Sequence, residues 1–187
     1  MPNTNAYETL FAQAIVASQN RGFDIPDWAS AAPSKLDLPR QQQLAALLQK
    51  MVDEDLSLQS VVARCVNVHF ELLQRVEAIL GVTPAFTVGS VITDTGRPLF
   101  SCTWDDVDAW MHHDATVIQT SQAPFHAWLT VPGMQIVDFT IEPTMFHQKL
   151  LNGFGVIAKP ASEVKGFRYH PVAVGNDLPI RLAARIS

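Results

Sequence analysis

The chain has 187 residues, of which 48% are hydrophobic and 17% charged, and its net charge at pH 7 is -5. This composition argues against a disordered chain, and the acidic balance without a cluster of lysine and arginine argues against nucleic-acid binding. Apolar runs are too short for a membrane span and the N-terminus lacks the basic start of a signal peptide, so we expect a soluble, cytoplasmic protein, with specialised secretion left open.

The length favours a single domain over residues 1–187. Within it we distinguish an N-terminal helical part, residues 1–55, from a core over residues 56–187. The two cysteines, Cys65 and Cys102, are too few for a disulfide framework, so both are expected to be free thiols.

The first half of the chain is predicted to be helical. Apolar periodicity predicts an amphipathic helix over residues 6–18, and Pro39 opens a second helix that runs to about residue 53. Dense apolar positions predict a buried central helix over about residues 60–80, where Gly81 ends it. Cys65 lies in the first part of this helix.

The second half is predicted to be rich in β-structure. A hairpin is expected over residues 85–92 and 98–102, then a short helix over 104–112. A second hairpin, over residues 125–131 and 135–141, turns at Pro132 and Gly133. A helix near residues 145–151 and strands near 167–174 and 178–184 complete the predicted elements, which together indicate an α+β fold.

One cysteine, one histidine and one aspartate are placed to act together. A thiol becomes a good nucleophile when a helix N-terminus and a neighbouring imidazolium lower its pKa, and Cys65 near the start of the central helix meets the first condition. His126 is the candidate base. Asp138 lies on the adjacent antiparallel strand and is expected to accept the other ring N–H of that histidine.

Three segments carry a family resemblance. Residues 65–82 begin with Cys and end in Leu-Gly-Val, residues 84–89 read Pro-Ala-Phe-Thr-Val-Gly, and residues 125–140 begin Phe-His-Ala-Trp and end Asp-Phe-Thr. Together they resemble the transglutaminase-like and papain-like cysteine hydrolases over about residues 60–140. The resemblance implies a central antiparallel β-sheet packed against the Cys-bearing helix, with Cys65 as nucleophile, His126 as general base and acid, and Asp138 as orienting carboxylate.

Three further residues are candidates near this triad. Gln59 precedes Cys65 by six residues, which matches the spacing of the oxyanion-hole glutamine in papain-like proteases. His69 lies one helical turn past Cys65 and is either a cleft-lining residue or a helix-surface histidine. Trp128 is two residues past His126 on the same strand face and either lines the cleft or packs in the core.

Other polar residues are expected to be structural. Cys102 has no helix N-terminus to activate it. His112, His113 and Asp114 are adjacent along the chain and lack a second ligand pair at zinc-like spacing, so a solvated loop is expected there rather than a metal site. We therefore expect neither a metal nor another cofactor.

The predicted chemistry is acyl transfer on a peptide, protein or small amide substrate. This describes a cysteine amidase or peptidase, a deamidase or a transglutaminase. Two alternatives remain: a catalytically silent interaction module of the same fold, which would bind a protein partner and keep Cys65 buried, and a small-molecule N-acyltransferase, for which the chain is short.

Overall fold

The computed structural model describes residues 5–28, 36–54, 61–62, 64–112 and 124–183. Helices occupy most of the described part of the N-terminal half. They are α1 (Asn5–Gln19), α2 (Leu38–Glu54) and α3 (Cys65–Leu80). The bounds of α1 and α2 agree with the predicted helices to within one residue.

Helix α3 begins at Cys65, whereas the sequence predicted a start between residues 60 and 63. Cys65 is therefore in the first turn of the helix instead of about one turn inside it. The buried side chains recur at spacings of three and four and form one face toward the sheet. Gly81 ends the helix as predicted, with φ of 70° and its N–H donated to the Glu77 carbonyl at 2.8 Å.

The remaining described residues form helices and a sheet of six strands. The strands are β1 (Ala85–Thr93), β2 (Pro98–Phe100), β3 (His126–Val131), β4 (Gln135–Asp138), β5 (Ile157–Pro160) and β6 (Phe167–Val174), and the helices are α4 (Trp104–His112), α5 (Ile141–His147) and α6 (Leu178–Ala183). Every pairing within the sheet is antiparallel. The α+β class and the antiparallel sheet are thus confirmed.

Strand β1 is the centre of the sheet because it pairs along both edges. Its residues 87–93 pair with β6, while residues 85–89 pair with β3 and residues 91–92 with β2. Strands β3 and β2 therefore follow one another along the same edge of β1. In this register Gly89 pairs with His126 and Val91 pairs with Phe100. Because Gly89 and Val91 are two residues apart on β1, the rings of His126 and Phe100 are neighbours on one face of the sheet.

The sheet separates two apolar cores. Alternate residues of β3, Ala127, Leu129 and Val131, pack in the core that includes the buried face of α3. Trp128 points the other way, into the core that includes the buried side chains of α1. Among the described residues, the longest helices are too short or too polar to cross a membrane.

Three sequence predictions were wrong in the C-terminal region. Residues 178–184 were predicted as a strand, but Leu178–Ala183 is the helix α6, in whose first turn Pro179 is tolerated and Asp177 pairs with Arg181. The predicted helix over residues 145–151 is instead α5, Ile141–His147, so the preceding strand ends at Asp138. Strand β5 was not predicted.

Candidate active site

The Cys65 thiol lies at the N-terminal end of a 16-residue helix. The N-cap residue Arg64 provides no side-chain hydrogen bond to the first turn. The first N–H groups of a helix lack intrahelical partners and carry partial positive charge, and Cys65 lies at this end of the helix. Only 7% of Cys65 is exposed.

His126 and Asp138 form a short, buried hydrogen bond. Nε2–H of His126 donates to Oδ2 of Asp138 at 2.6 Å, and both side chains are almost fully buried. The register of β3 and β4 explains this contact. Because Leu129 pairs with Val137, the same register puts Asp138 opposite Trp128 and diagonally across from His126 on one face.

Five hydrogen bonds from described residues hold the Asp138 carboxylate. Oδ2 accepts from His126 and from the Tyr169 hydroxyl at 2.8 Å. Oδ1 accepts from the Thr140 N–H at 2.8 Å, the Thr140 hydroxyl at 3.1 Å and the Ile141 N–H at 3.1 Å. Burial would raise the pKa of Asp138, but the charge of His126 and these donors hold the pKa well below its usual range. The carboxylate is therefore ionised.

Nδ1 is the ring nitrogen of His126 that is not bonded to Asp138. Burial would lower the pKa of His126, but the charge and the hydrogen bond of Asp138, with smaller contributions from Cys65, raise the pKa to about 10. The Cys65 thiol thus interacts with the ring, although no described residue makes a hydrogen bond of ordinary geometry to the buried Nδ1. The arrangement favours an imidazolium whose Nδ1–H is available to a thiolate.

His69 is completely buried and lines no open cleft. Its Nδ1–H donates to the Cys65 carbonyl at 2.7 Å, and its Nε2 accepts the Phe139 N–H at 3.0 Å. Burial lowers the pKa of His69 to about 4, against an opposing effect of the Asp138 charge. A neutral ring therefore connects α3 to the end of β4.

The rings of Trp128 and Phe100 stack on His126. Trp128 is fully buried, so it does not line an open cleft either; its ring centroid is 6.2 Å from that of His126, and its Nε1–H donates to the Tyr7 hydroxyl. Phe100 stacks on His126 with a centroid distance of 4.9 Å and an interplanar angle of 30°. The site is closed in this conformation.

Sequence reasoning missed Tyr169 and Phe100. Tyr169 is 31 positions beyond Asp138, on β6, and its contact depends on how β6 and β4 are placed around the sheet. Nothing in the local sequence indicates it. Phe100 lies in the predicted strand, but no sequence pattern indicates that this short strand continues the edge along which β3 pairs.

The remaining predicted residues have different environments. Gln59, His113 and Asp114 lie outside the described residues. Burial, with the nearby charge of Asp106, raises the pKa of Cys102 to about 12, so this thiol stays protonated at neutral pH. His112 donates Nδ1–H to the Asp108 carbonyl, and the described residues contain no group of three or more ligands suited to a metal ion.

Comparison of the chain with protein-family models, with curated proteins and with solved structures gave no match. The resemblance to transglutaminase-like and papain-like proteins therefore stays a prediction, and a function has to be argued from the geometry of the site.

Proposed function

We propose that this protein is a cysteine-dependent acyltransferase or hydrolase of amide substrates, with a transglutaminase-like or papain-like fold. The observation that carries the proposal is the environment of the His126 ring. Asp138 holds one ring nitrogen at 2.6 Å, while the other is buried, has no hydrogen-bond partner among the described residues and is influenced by the Cys65 thiol at a helix N-terminus. This is the arrangement that a nucleophilic thiol requires.

The reaction would proceed through a thioester. Nδ1 of His126 holds the proton that Sγ of Cys65 has given up, and the thiolate attacks the carbonyl carbon of the amide. As the C–N bond breaks, Nδ1–H protonates the leaving amine. Nδ1 then takes a proton from water or a second amine as this nucleophile attacks the thioester, and the C–S bond breaks to restore the thiolate beside the imidazolium. Asp138 remains ionised and holds the ring orientation throughout.

Stabilisation of the oxyanion would come from the start of α3. The backbone N–H of Cys65, in the first turn, belongs to the group of helix donors that lack intrahelical partners. It is our candidate for one donor to the developing oxyanion, and Gln59 is our candidate for the other. A peptide, protein or small amide would be the substrate.

The test is the pH dependence of iodoacetamide labelling, located by mass spectrometry. We expect Cys65 to label readily near neutral pH and to lose that reactivity in His126→Ala, because the thiolate then lacks its counter-ion. Cys102 is an internal control, since its raised pKa predicts labelling only in strongly alkaline solution. A Cys65 whose pH profile does not change in His126→Ala would contradict the proposal.

The accessibility of Cys65 has to be distinguished from the activation of its thiol, because Phe100 covers the His126 ring. Burial slows labelling by the same factor at every pH, whereas ionisation changes the shape of the profile. We expect Phe100→Ala to increase the labelling rate several-fold at all pH values with an unchanged midpoint. Phe154→Ala is the matched control, because the Phe154 ring contacts Phe146 in a separate, tilted aromatic pair. Screening of glutamine-containing peptides for ammonia release would follow.

A second candidate is the catalytically silent interaction module. The observation in its favour is the closure of the site: 7% of Cys65 and 1% of His126 are exposed, and Phe100 is stacked over the ring. This interpretation expects Cys65 to remain unreactive at neutral pH even in Phe100→Ala. The same labelling series therefore decides between the two functions.

A further inference from the structure

The buried imidazole of His69 joins the two halves of the candidate site. It lies one turn after Cys65 on α3, and its ring reaches across to the backbone immediately after Asp138. Nδ1–H donates to the Cys65 carbonyl at 2.7 Å and Nε2 accepts the Phe139 N–H at 3.0 Å. One side chain thus contacts the residue of the proposed nucleophile and the neighbour of the proposed orienting carboxylate.

The two partners of His69 determine its tautomer. A carbonyl oxygen can only accept and an amide N–H can only donate, so Nδ1 must carry the proton and Nε2 must be bare. Protonation of Nε2 would leave the buried Phe139 N–H without its acceptor, which is unfavourable. The ring is therefore held neutral, although Oδ1 of Asp138 is only 3.5 Å from Nε2.

This tautomer has a consequence for His126. If His69 were charged, it would compete with His126 for the negative charge of Asp138. As a neutral acceptor it leaves that charge to His126, and its bond to Phe139 restrains the backbone that presents the carboxylate. The rings of His69 and His126 are 6.5 Å apart and nearly perpendicular, so they share Asp138 without stacking.

We propose that His69 is a positioning residue, which ties the N-terminal turn of α3 to the end of β4 and so keeps Asp138 paired with His126. It contacts neither substrate nor reacting atoms. The role depends on the proposed function only in that His126 is taken as the acid and base. The titratable groups around His126 are Asp138 on β4, Cys65 and His69 on α3, and Tyr169 on β6.

The experiment follows the ring ¹⁵N resonances of His126 and His69 as a function of pH. In the native protein we expect His69 to keep the Nδ1–H tautomer from pH 5 to 9, with a scalar coupling across the hydrogen bond from the Phe139 N–H to Nε2. In His69→Leu, which preserves bulk but removes both bonds, we expect the pKa of His126 to fall by one unit or more. His69→Gln keeps an acceptor for the Phe139 N–H and should recover most of that shift.

Three results would overturn the proposal. One is a folded His69→Leu protein in which His126 titrates as in the native chain. Another is a His69→Gln protein that behaves like His69→Leu, which would exclude the Phe139 bond as the means of positioning. The third is the absence, in the native protein, of the scalar coupling between the Phe139 N–H and Nε2 of His69. This measurement needs no variant, so it applies even if His69→Leu does not fold. Failure of the proposed function appears separately, as an unreactive Cys65 in the native protein, while the histidine resonances still decide the role of His69.

Discussion

At Asp138, five hydrogen bonds from described residues converge on one buried carboxylate. An ionised group in an apolar interior is stable only when nearly all its lone pairs are satisfied. The donors come from β3, from β6 and from Thr140 and Ile141, which follow β4. The charge of Asp138 is consequently a product of the tertiary fold, and each donor should contribute to it measurably.

Tyr169→Phe tests one of these donors. The substitution removes only the hydroxyl that donates to Oδ2 of Asp138 at 2.8 Å, and we expect a loss of about 1.5–3 kcal/mol in the free energy of unfolding, as for a hydrogen bond to a charged group. The measurement is urea denaturation at neutral pH. Tyr7→Phe is the matched control and should cost about 1 kcal/mol, because the partners of the Tyr7 hydroxyl among the described residues, Thr130 and Trp128, are neutral. Equal losses in the two variants would show that the charge of Asp138 gives the Tyr169 bond no extra strength.

Single residues were predictable where the chemistry is local. The order of Cys65, His126 and Asp138, and the hairpin that joins the last two, indicated which side chains to bring together. His69 was harder, because helical spacing shows that it shares a face with Cys65 but not that the sheet buries this face. The role of Tyr169 was not predictable, since its contact with Asp138 joins positions that have no local relation in sequence.

At the scale of elements, the close approach of β1 and its neighbours depends on Gly89. A Cβ atom at this position would lie 2.1 Å from the His170 carbonyl oxygen and 2.9 Å from Cη2 of Trp128. Backbone oxygen and a fully buried indole cannot move easily, and that indole packs against His126. The missing side chain of Gly89 is therefore what allows β6 and Trp128 to pack as they do.

We expect Gly89→Ala to destabilise the protein by about 1–3 kcal/mol, the usual cost of overpacking a core. Because the displaced indole contacts His126, the variant should also reduce the labelling of Cys65. Chemical denaturation and the iodoacetamide assay measure the two effects. Gly153→Ala is the control, since an added Cβ there meets no atom within 4 Å. A Gly89→Ala protein as stable as Gly153→Ala would mean that the sheet adjusts without strain.

Elements were predictable where the periodicity is strong and the ends are marked. Helices α1, α2 and α4 and strand β6 match the sequence patterns closely, and Gly81 marks the end of α3. Strand β5 has only four residues, with two side chains buried, so no alternation was visible. Residues 178–183 are apolar at several positions, and the choice of helix depended on the interactions of Asp177, which a strand pattern does not reveal.

At the scale of the whole molecule, the buried histidines make stability depend on pH in opposite directions. The pKa of His126 is about 10 in the fold against 6.5 in the unfolded chain, so its stabilisation is complete below pH 6.5 and is lost as the pH rises toward 10. The pKa of His69 is about 4 in the fold, so the unfolded chain binds a proton more readily and stability is lost as the pH falls from 6.5 toward 4. The pKa of half-buried His170 is also lowered, so this residue adds to the loss of stability at low pH. We call this part of the stability curve the acid limb, and the loss caused by His126 at high pH the alkaline limb.

We therefore expect the free energy of unfolding to be greatest near pH 6.5, with each limb approaching a slope of about 1.4 kcal/mol per pH unit for one proton. Urea denaturation at intervals from pH 4.5 to 8.5 measures how the free energy of unfolding depends on pH. In this range neither the acid titration of Asp138 nor the alkaline titration of Cys102 contributes much to that dependence. His126→Asn should flatten the alkaline limb and His69→Gln most of the acid limb. His170→Asn, the control, should reduce only the acid limb and by a smaller amount. If the alkaline limb persisted in His126→Asn, the imidazolium of His126 would not be the source of the stabilisation, and the ion pair with Asp138 on which the proposed chemistry depends would be absent at neutral pH.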